Sequence, residues 1–249
     1  MPANPPSNQE GRTLVSALKC LELLDAFADS SSPLGVSECA RRVGSSRGTV
    51  HQRLRTLIAA GWLERLAGGR YRLTLHASRV AQAALEQAGL GERVLPALKE
   101  LAERTGAAAS LAVLEGNSGM ISQRVESASM LRANVQVGMR MPLASSASGR
   151  VLVAFSNEST LRRLRSQPGL RLPSMADIAD TRQQGCAVSV GEYIEGISAI
   201  AVPIFNSQNE LLAALSLAGP TSTFDVKSAQ HETVSVARQI HSIIRGRSN

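Results

Sequence analysis

The sequence predicts an α+β protein: an N-terminal winged helix-turn-helix, a linker helix, and a larger C-terminal domain that mixes hairpins with helices. Three observations predict it. Between residues 41 and 72, Arg41, Arg42, Arg47, Arg53, Arg55, Arg65, Arg70 and Arg72 stand against the single acid Glu64, so this local surplus of seven equals the net charge of the whole 249-residue chain. Within that stretch "GSSRGTVHQRL" (44–54) sets a glycine-serine turn ahead of the stripe Val50, Leu54, Leu57 and Ile58, which repeats at helical spacing. Farther on, "SLAVLEGNSGMISQRV" and "GISAIAVPIFNSQNELLAALSLAGP" each read as two apolar strands joined by a polar turn.

The totals bound the possibilities. A chain of this length and 43% hydrophobic content has enough material for two modest domains with real cores. No apolar run approaches the roughly 18 residues that a membrane span needs. The start "MPANPPSNQEGR" carries no basic segment followed by an apolar one, so it is read as a disordered lead-in over 1–11 and not as a secretory signal. Cys20, Cys39 and Cys186 are odd in number and far apart, the pattern of reduced thiols in a cytoplasmic protein. No metal or other cofactor is expected.

The first domain is placed at 12–75. Thr13 is the expected N-cap of a first helix whose inward positions are Leu14, Leu18, Leu21, Leu24 or Asp25, and Phe27. After "DSSSPLG", Ser37 is expected to cap a second, short helix, and Ser46 a third. "WLERL" and "RYRLTL", joined by "AGG", form the wing. On the third helix the face opposite the apolar stripe is basic and rich in hydrogen-bonding groups. A recognition helix entering a major groove about 12 Å wide needs such side chains, arginine for guanine and glutamine for adenine, with free amides at the helix start for phosphate. The candidate DNA-contacting residues are therefore Ser46, Arg47, Thr49, His51, Gln52, Arg53 and Arg55, with Arg70 and Arg72 on the wing. The competing reading is a protein-interaction module whose charge is merely solvated.

"HASRVAQAALEQAG" is expected to form the linker helix, placed at 76–91 and stopped by Gly89 and Gly91. In the domain at 92–249, Val94, Leu98, Leu101 and Ala102 face inward on the next helix. "MLRANVQVG" alternates Leu131, Ala133, Val135 and Val137 with polar residues, the pattern of a half-buried strand. In "GMRMPLASSASGRVLVAF" small residues from Ala144 to Gly149 lead into an apolar helix. Its first amides suit an anion such as a carboxylate, while the plainer reading is that Ser145 or Ser146 simply caps it. Asp225 opens a C-terminal helix with Val234, Ala237, Ile240 and Ile243 or Ile244 inward.

The stretch "LGVSECARRVGSSRGTVHQRLRTLIAAGWLERLAGGRYRLT" resembles the N-terminal domain of IclR-family transcriptional regulators. It departs from the family pattern at Gln52, usually arginine, at Arg53, usually leucine, and at Thr74, usually glycine. Gly138, Pro142, Ser146, Ala147, Gly149 and Arg150, then Gly196 to Phe205, then Ala214 to Pro220, match the recurring pieces of the same family's effector domain. The resemblance covers about residues 12 to 245. It implies a GAF-like C-terminal domain, an antiparallel sheet flanked by helices, that holds one small effector such as a carboxylic acid. The pocket residues it implies are Ser148 and Gly149, through their amides, with Ser189, Ile197, Ala199, Ser216 and Ala218. Some relatives that bind small acids have a charged or more polar side chain where Ser189, Ala199 and Ala218 stand here. The resemblance therefore implies a less polar and roomier pocket, suited to a larger, partly apolar ligand such as an aromatic or aliphatic acid. The expected partners are double-stranded DNA at a pseudo-palindromic operator and further copies of the chain, as a homodimer or homotetramer meeting through the first helix and the linker helix.

An enzyme is the second alternative, after the protein-interaction scaffold. His51, His76, His231 and His241 are scattered, and no nucleophile elbow, zinc-protease motif, P-loop or dinucleotide fingerprint is present. Ser198 falls mid-strand and Cys186 has no histidine nearby in sequence, so no catalytic residue is assigned. "LRRLRSQPGLR" (161–171) reads as a solvated basic face, or as the contact patch of a scaffold protein.

Overall fold

The computed structural model describes residues 13–126 and 135–246. It divides into two compact units between Ala81 and Gln82. The first contains α1 (Val15–Ala28), β1 (Leu34–Gly35), α2 (Val36–Arg42), α3 (Arg47–Ala59), β2 (Leu63–Arg65) and β3 (Arg70–Leu73). Its strands form a small antiparallel sheet in the order β1-β3-β2. Leu23, Phe27, Leu34, Cys39, Val50, Leu54, Leu57, Leu63 and Tyr71 make its core.

Two helix starts differ from expectation. Pairing of Leu34 with Tyr71 and of Gly35 with Arg70 keeps the chain extended up to Gly35, so α2 begins at Val36 and Ser37 lies inside its first turn rather than capping it. Likewise α1 begins after Leu14, with no side-chain cap from Thr13. The face of α1 that enters the core also differs. Leu23 and Phe27 are buried, whereas Leu14, Leu18 and Leu21 are 71%, 45% and 56% exposed. Ser46 does cap α3, its Oγ accepting from the Thr49 amide at 3.2 Å. Thr74 has a structural task that glycine cannot perform: its hydroxyl donates to Gly61 O at 2.5 Å and accepts from His76 N at 3.3 Å, tying the end of the wing to the turn before it. Helix α4 (His76–Gln87) follows and runs through the boundary between the units.

The second unit is built on one antiparallel sheet, ordered β6-β5-β4-β9-β8-β7. Its elements are α5 (Leu95–Thr105), β4 (Ala108–Glu115), β5 (Ser118–Val125), β6 (Arg140–Met141), α6 (Ala147–Ala154), α7 (Glu158–Arg165), α8 (Met175–Gln184), β7 (Ala187–Val190), β8 (Ile197–Phe205), β9 (Leu211–Pro220) and α9 (Val226–Arg245). The central strands alternate large with small residues, and the fold uses this difference. Leu111, Ile200, Val202, Ile204, Leu215 and Leu217 pack with α5 and α9 in the main core. Ala112, Ala201 and Ala214 face the other side, where α6 lies on them with Val151 and Leu152. Asp225 caps α9 by accepting from the amides of Lys227 and Ser228. In the fragment 131–137, Leu131 and Ala133 fall outside the described residues, while Val135 and Val137 belong to no strand. A turn takes over there: Met139 N donates to Gln136 O, and Gly138 N to Ile121 O.

His241 on α9 links that helix to the sheet. The Phe205 amide donates to its Nε2 at 2.9 Å, and the two rings stack at 6.0 Å. Burial first, and the Arg245 charge second, hold the imidazole below the ordinary histidine range. As pH falls, the unfolded chain therefore takes up the proton before the folded one does. The stability contributed is whole above about pH 6.5 and is lost as pH drops through the lower folded value. The melting temperature is expected to fall between about pH 7.5 and 5.5. In His241→Gln, whose carbonyl can still accept from Phe205, much of that fall should disappear; an unchanged pH profile would place the acid sensitivity elsewhere.

Candidate functional site

Each unit carries one candidate site. In the first, α3 turns the buried Val50, Leu54 and Leu57 inward, and at 3.6 residues per turn this leaves Gly48, Gln52 and Arg55 at the middle of the outer face. Arg47 and His51 flank them on one side, Thr49 and Arg53 on the other. Arg47, His51, Gln52, Arg55 and Arg70 are exposed and their side chains have no hydrogen-bond or ionic partner among the described residues. The remaining candidates are held internally. Arg53 donates to Ser45 Oγ at 3.2 Å, bracing the turn before the helix. Arg72 pairs with Glu64 across β2 and β3 at 2.7 Å, so its charge is locally compensated. Ser46 and Thr49 share the cap, their hydroxyls 2.9 Å apart. A Cβ placed on Gly48 meets nothing within 4 Å, so internal packing does not require glycine there. The outcome is a cationic, donor-rich helix face with glycine near its start.

In the second unit the small-residue face of the sheet leaves space beside the first turn of α6. A cavity of about 60 Å³ lies there, lined by six of the seven expected pocket residues: Ser148, Ser189, Ile197, Ala199, Ser216 and Ala218. Gly149 is the exception. Its amide donates to Ser146 Oγ at 3.0 Å and is not free for a ligand. A Cβ on it would sit 2.5 Å from Pro142 O and 2.6 Å from Leu143 Cα, so its smallness serves packing. Ser146 thus caps α6, the plainer of the two readings, while the amides of Ala147 and Ser148 in the first turn have no intrahelical partner.

The loop that enters α6 is pinned at several points. Arg150 donates to Ala144 O and Val188 O, both at 2.8 Å, and also pairs with Glu192. Ser189 Oγ donates to Ser145 O at 2.8 Å. The cavity is mostly apolar, as its small residues imply, but it is not roomy. The volume is well under the ~150 Å³ of an engineered cavity that admits benzene. Ala199 on β8 and Ala218 on β9 line it together with the larger Ile121, Met141, Tyr193 and Ile194.

Arg124 on the cavity wall was not among the expected residues. Its side chain is only 6% exposed. Periodicity alone could not place it, because β5 contains a bulge: Leu111 pairs with Gln123 and Ala112 with Ile121, leaving Ser122 as the extra residue. The bulge resets the alternation, so Ile121 and Arg124, three residues apart, both face the cavity.

Cys186 is buried, its thiol accepts from Gln230 Nε2 at 3.3 Å, and burial pushes its pKa up, the opposite of an activated nucleophile. Ser198 donates to Thr221 Oγ1 at 3.0 Å, in the turn just after β9. Among the described residues no group of histidine, cysteine or acidic side chains is placed to hold a metal ion, and no helix is long and apolar enough to cross a membrane.

The chain matches two family models that together span most of it. "IclR helix-turn-helix domain" covers residues 16–67, and "Bacterial transcriptional regulator IclR C-terminal" covers 82–244. The HTH-type transcriptional regulator XynR of Escherichia coli K12 is 28% identical over 221 residues, 84% of this chain and 88% of that protein. The probable transcriptional regulator SauR of Cupriavidus necator is 30% identical over 225 residues, 86% of this chain and 88% of that one. Among solved structures, an IclR homolog from Microbacterium hydrocarbonoxydans complexed with 4-hydroxybenzoate shares the fold, with a TM-score of 0.78 at 23% identity over 93% of this chain and 99% of that one.

Proposed function

This chain belongs to the IclR family of transcriptional regulators, with a helix-turn-helix domain and a C-terminal ligand-binding domain, and from that premise we propose that it reads a pseudo-palindromic operator in the cytoplasm under control of a small carboxylic acid. The observation that supports the DNA reading is the row of Arg47, His51, Gln52 and Arg55 on the outer face of α3, whose side chains have no partner among the described residues. Base readout needs donors that the protein itself has not used, and these are unused. Gly48 supports the same reading, since a bare backbone at the helix start lets a phosphate approach closely. The exposed Leu14, Val15, Leu18 and Leu21 on and just before α1, with Val80 on α4, support pairing with a second copy through these helices.

The effector reading rests on the cavity. Its volume favours an acid of a few carbons. A ring the size of 4-hydroxybenzoate, the ligand of the Microbacterium protein, needs side chains such as Ile194 and Tyr193 to move. An effector acts on DNA binding only so far as it prefers one arrangement of the protein over another. The scaffold alternative takes the basic helix-turn-helix surface, with the second basic cluster at 161–171, as a protein-contact patch, and salt separates the two. Selection of genomic fragments by the purified chain is expected to enrich a few sites, with affinity that weakens as salt rises while site preference persists. Absence of enrichment with and without pooled small acids would overturn the regulator reading.

A further inference from the structure

The wall of the cavity carries a buried arginine held in an ion pair. Arg124 on β5 pairs with Ser110 on β4, which pairs with Ser216 on β9, so the three form one row across the sheet under the cavity. The guanidinium is almost wholly buried. Its Nη1 donates to Ser110 Oγ at 3.1 Å, while Nε and Nη2 form a fork on the Glu126 carboxylate at 2.6 and 3.3 Å. Glu126 itself is 42% exposed, at the end of the strand rather than in the wall. Two of the five guanidinium N–H groups have no assigned acceptor among these bonds.

A buried cation in an apolar cavity is costly unless a carboxylate compensates it. Here the compensating carboxylate comes from a half-exposed residue that can return to water at little cost. The hydroxyls of Ser110, Ser148 and Ser216 and the first-turn amides of α6 lie around the same space. Ser110, Ser148 and the amides offer neutral donors to an anion, Ser216 Oγ being already turned toward Ser110 O at 3.5 Å, and none of these groups carries a negative charge. We propose that Arg124 is the carboxylate anchor of this cavity and that Glu126 holds its place, so that the effector enters by exchanging one carboxylate for another. The inference rests on the reading of this cavity as the effector site. It adds to that reading a specific residue, a bidentate geometry, and an internal competitor that sets the threshold concentration for binding.

The test uses the full-length chain with sodium propionate as probe, propionamide as its uncharged match and sodium chloride to hold ionic strength. Apparent affinity is read from the melting temperature across a titration. In Glu126→Gln the competing charge is gone while the exposed position tolerates the change, and propionate is expected to bind at least tenfold more tightly than to the unmodified protein. Propionamide should show no such gain, and Arg124→Met should remove the preference for acid over amide. The proposal is overturned if Glu126→Gln binds propionate no better than the unmodified protein, including the case in which neither binds. It is equally overturned if Arg124→Met binds it unchanged. Ser216→Trp, which fills the cavity, separates the two levels. If it blocks propionate while Arg124→Met does not, the cavity stands and the anchor falls. Propionate binding that survives Ser216→Trp removes the cavity as well.

Discussion

Replacing Arg55 by alanine is expected to lower affinity for an operator fragment by about 10- to 100-fold, while affinity for unrelated DNA changes by much less. The size follows from a bidentate arginine–base pair, worth roughly 1–3 kcal/mol of discrimination. The choice of Arg55 follows from the structure. Of the arginines on and around α3, Arg53 is committed to Ser45 and Arg42 to Ala26 O and Glu38. Arg55 points away from the buried stripe and has no hydrogen-bond or ionic partner among the described residues. Fluorescence anisotropy on a selected genomic site and on a scrambled one, each at two salt concentrations, reads the difference. Equal loss on both fragments, with a salt slope shallower by about one ion, would make Arg55 a phosphate contact instead. Arg72→Ala is the internal control. Its guanidinium already neutralises Glu64, so its removal frees an acid on the wing and should weaken both fragments alike.

These arginines also mark how far the sequence could be read. The third helix, its Ser46 cap and its charged outer face were legible, because they rest on local spacing and on one capping hydroxyl. Which arginines are free was not, since Glu64 reaches Arg72 and Ser45 reaches Arg53 only once the turns are formed. The first helix shows a different limit. Leu14, Leu18 and Leu21 have core-like spacing, yet the small domain buries only Leu23 and Phe27 deeply from that helix. Periodicity identifies an apolar face without saying whether it is covered by the same chain or by another.

In the larger unit the cavity residues were found by resemblance and not by pattern. Ser189, Ala199, Ser216 and Ala218 come from three strands that meet only through the register Ser189↔Ala199↔Ala218 and the neighbouring pair Ser110↔Ser216. Nothing local in the sequence announces that juxtaposition. What the sequence does contain is the small residues themselves, alternating with leucine, isoleucine and valine along β8 and β9. That alternation points to a sheet with one tightly filled face and one face with space. The bulge at Ser122 hid Arg124 because a strand read with unbroken alternation puts it on the opposite face from Ile121.

Gly149 gives the sharpest test of that second face, because packing and intrinsic preference predict opposite signs. In an open helix, glycine to alanine stabilises by about 1 kcal/mol. Here the added methyl group would meet Pro142 O and Leu143 Cα, both backbone atoms that cannot swing aside, as well as the Ser146 hydroxyl that caps the helix. Gly149→Ala is therefore expected to destabilise the larger unit by about 1–3 kcal/mol, the usual cost of overpacking. A calorimetric scan should show the melting of that unit lowered by about 2–4 °C for each kcal/mol. The displaced segment is the turn from Pro142 to Ser146 that walls the cavity and bonds to Ser189, so the effector response should weaken in the same variant. DNA affinity should remain near that of the unmodified chain, because α3 and its arginines belong to the other unit. A variant that melts higher would mean that the turn yields to the methyl group, and that the cavity beside it is less rigid than its bonds to Arg150 and Ser189 imply.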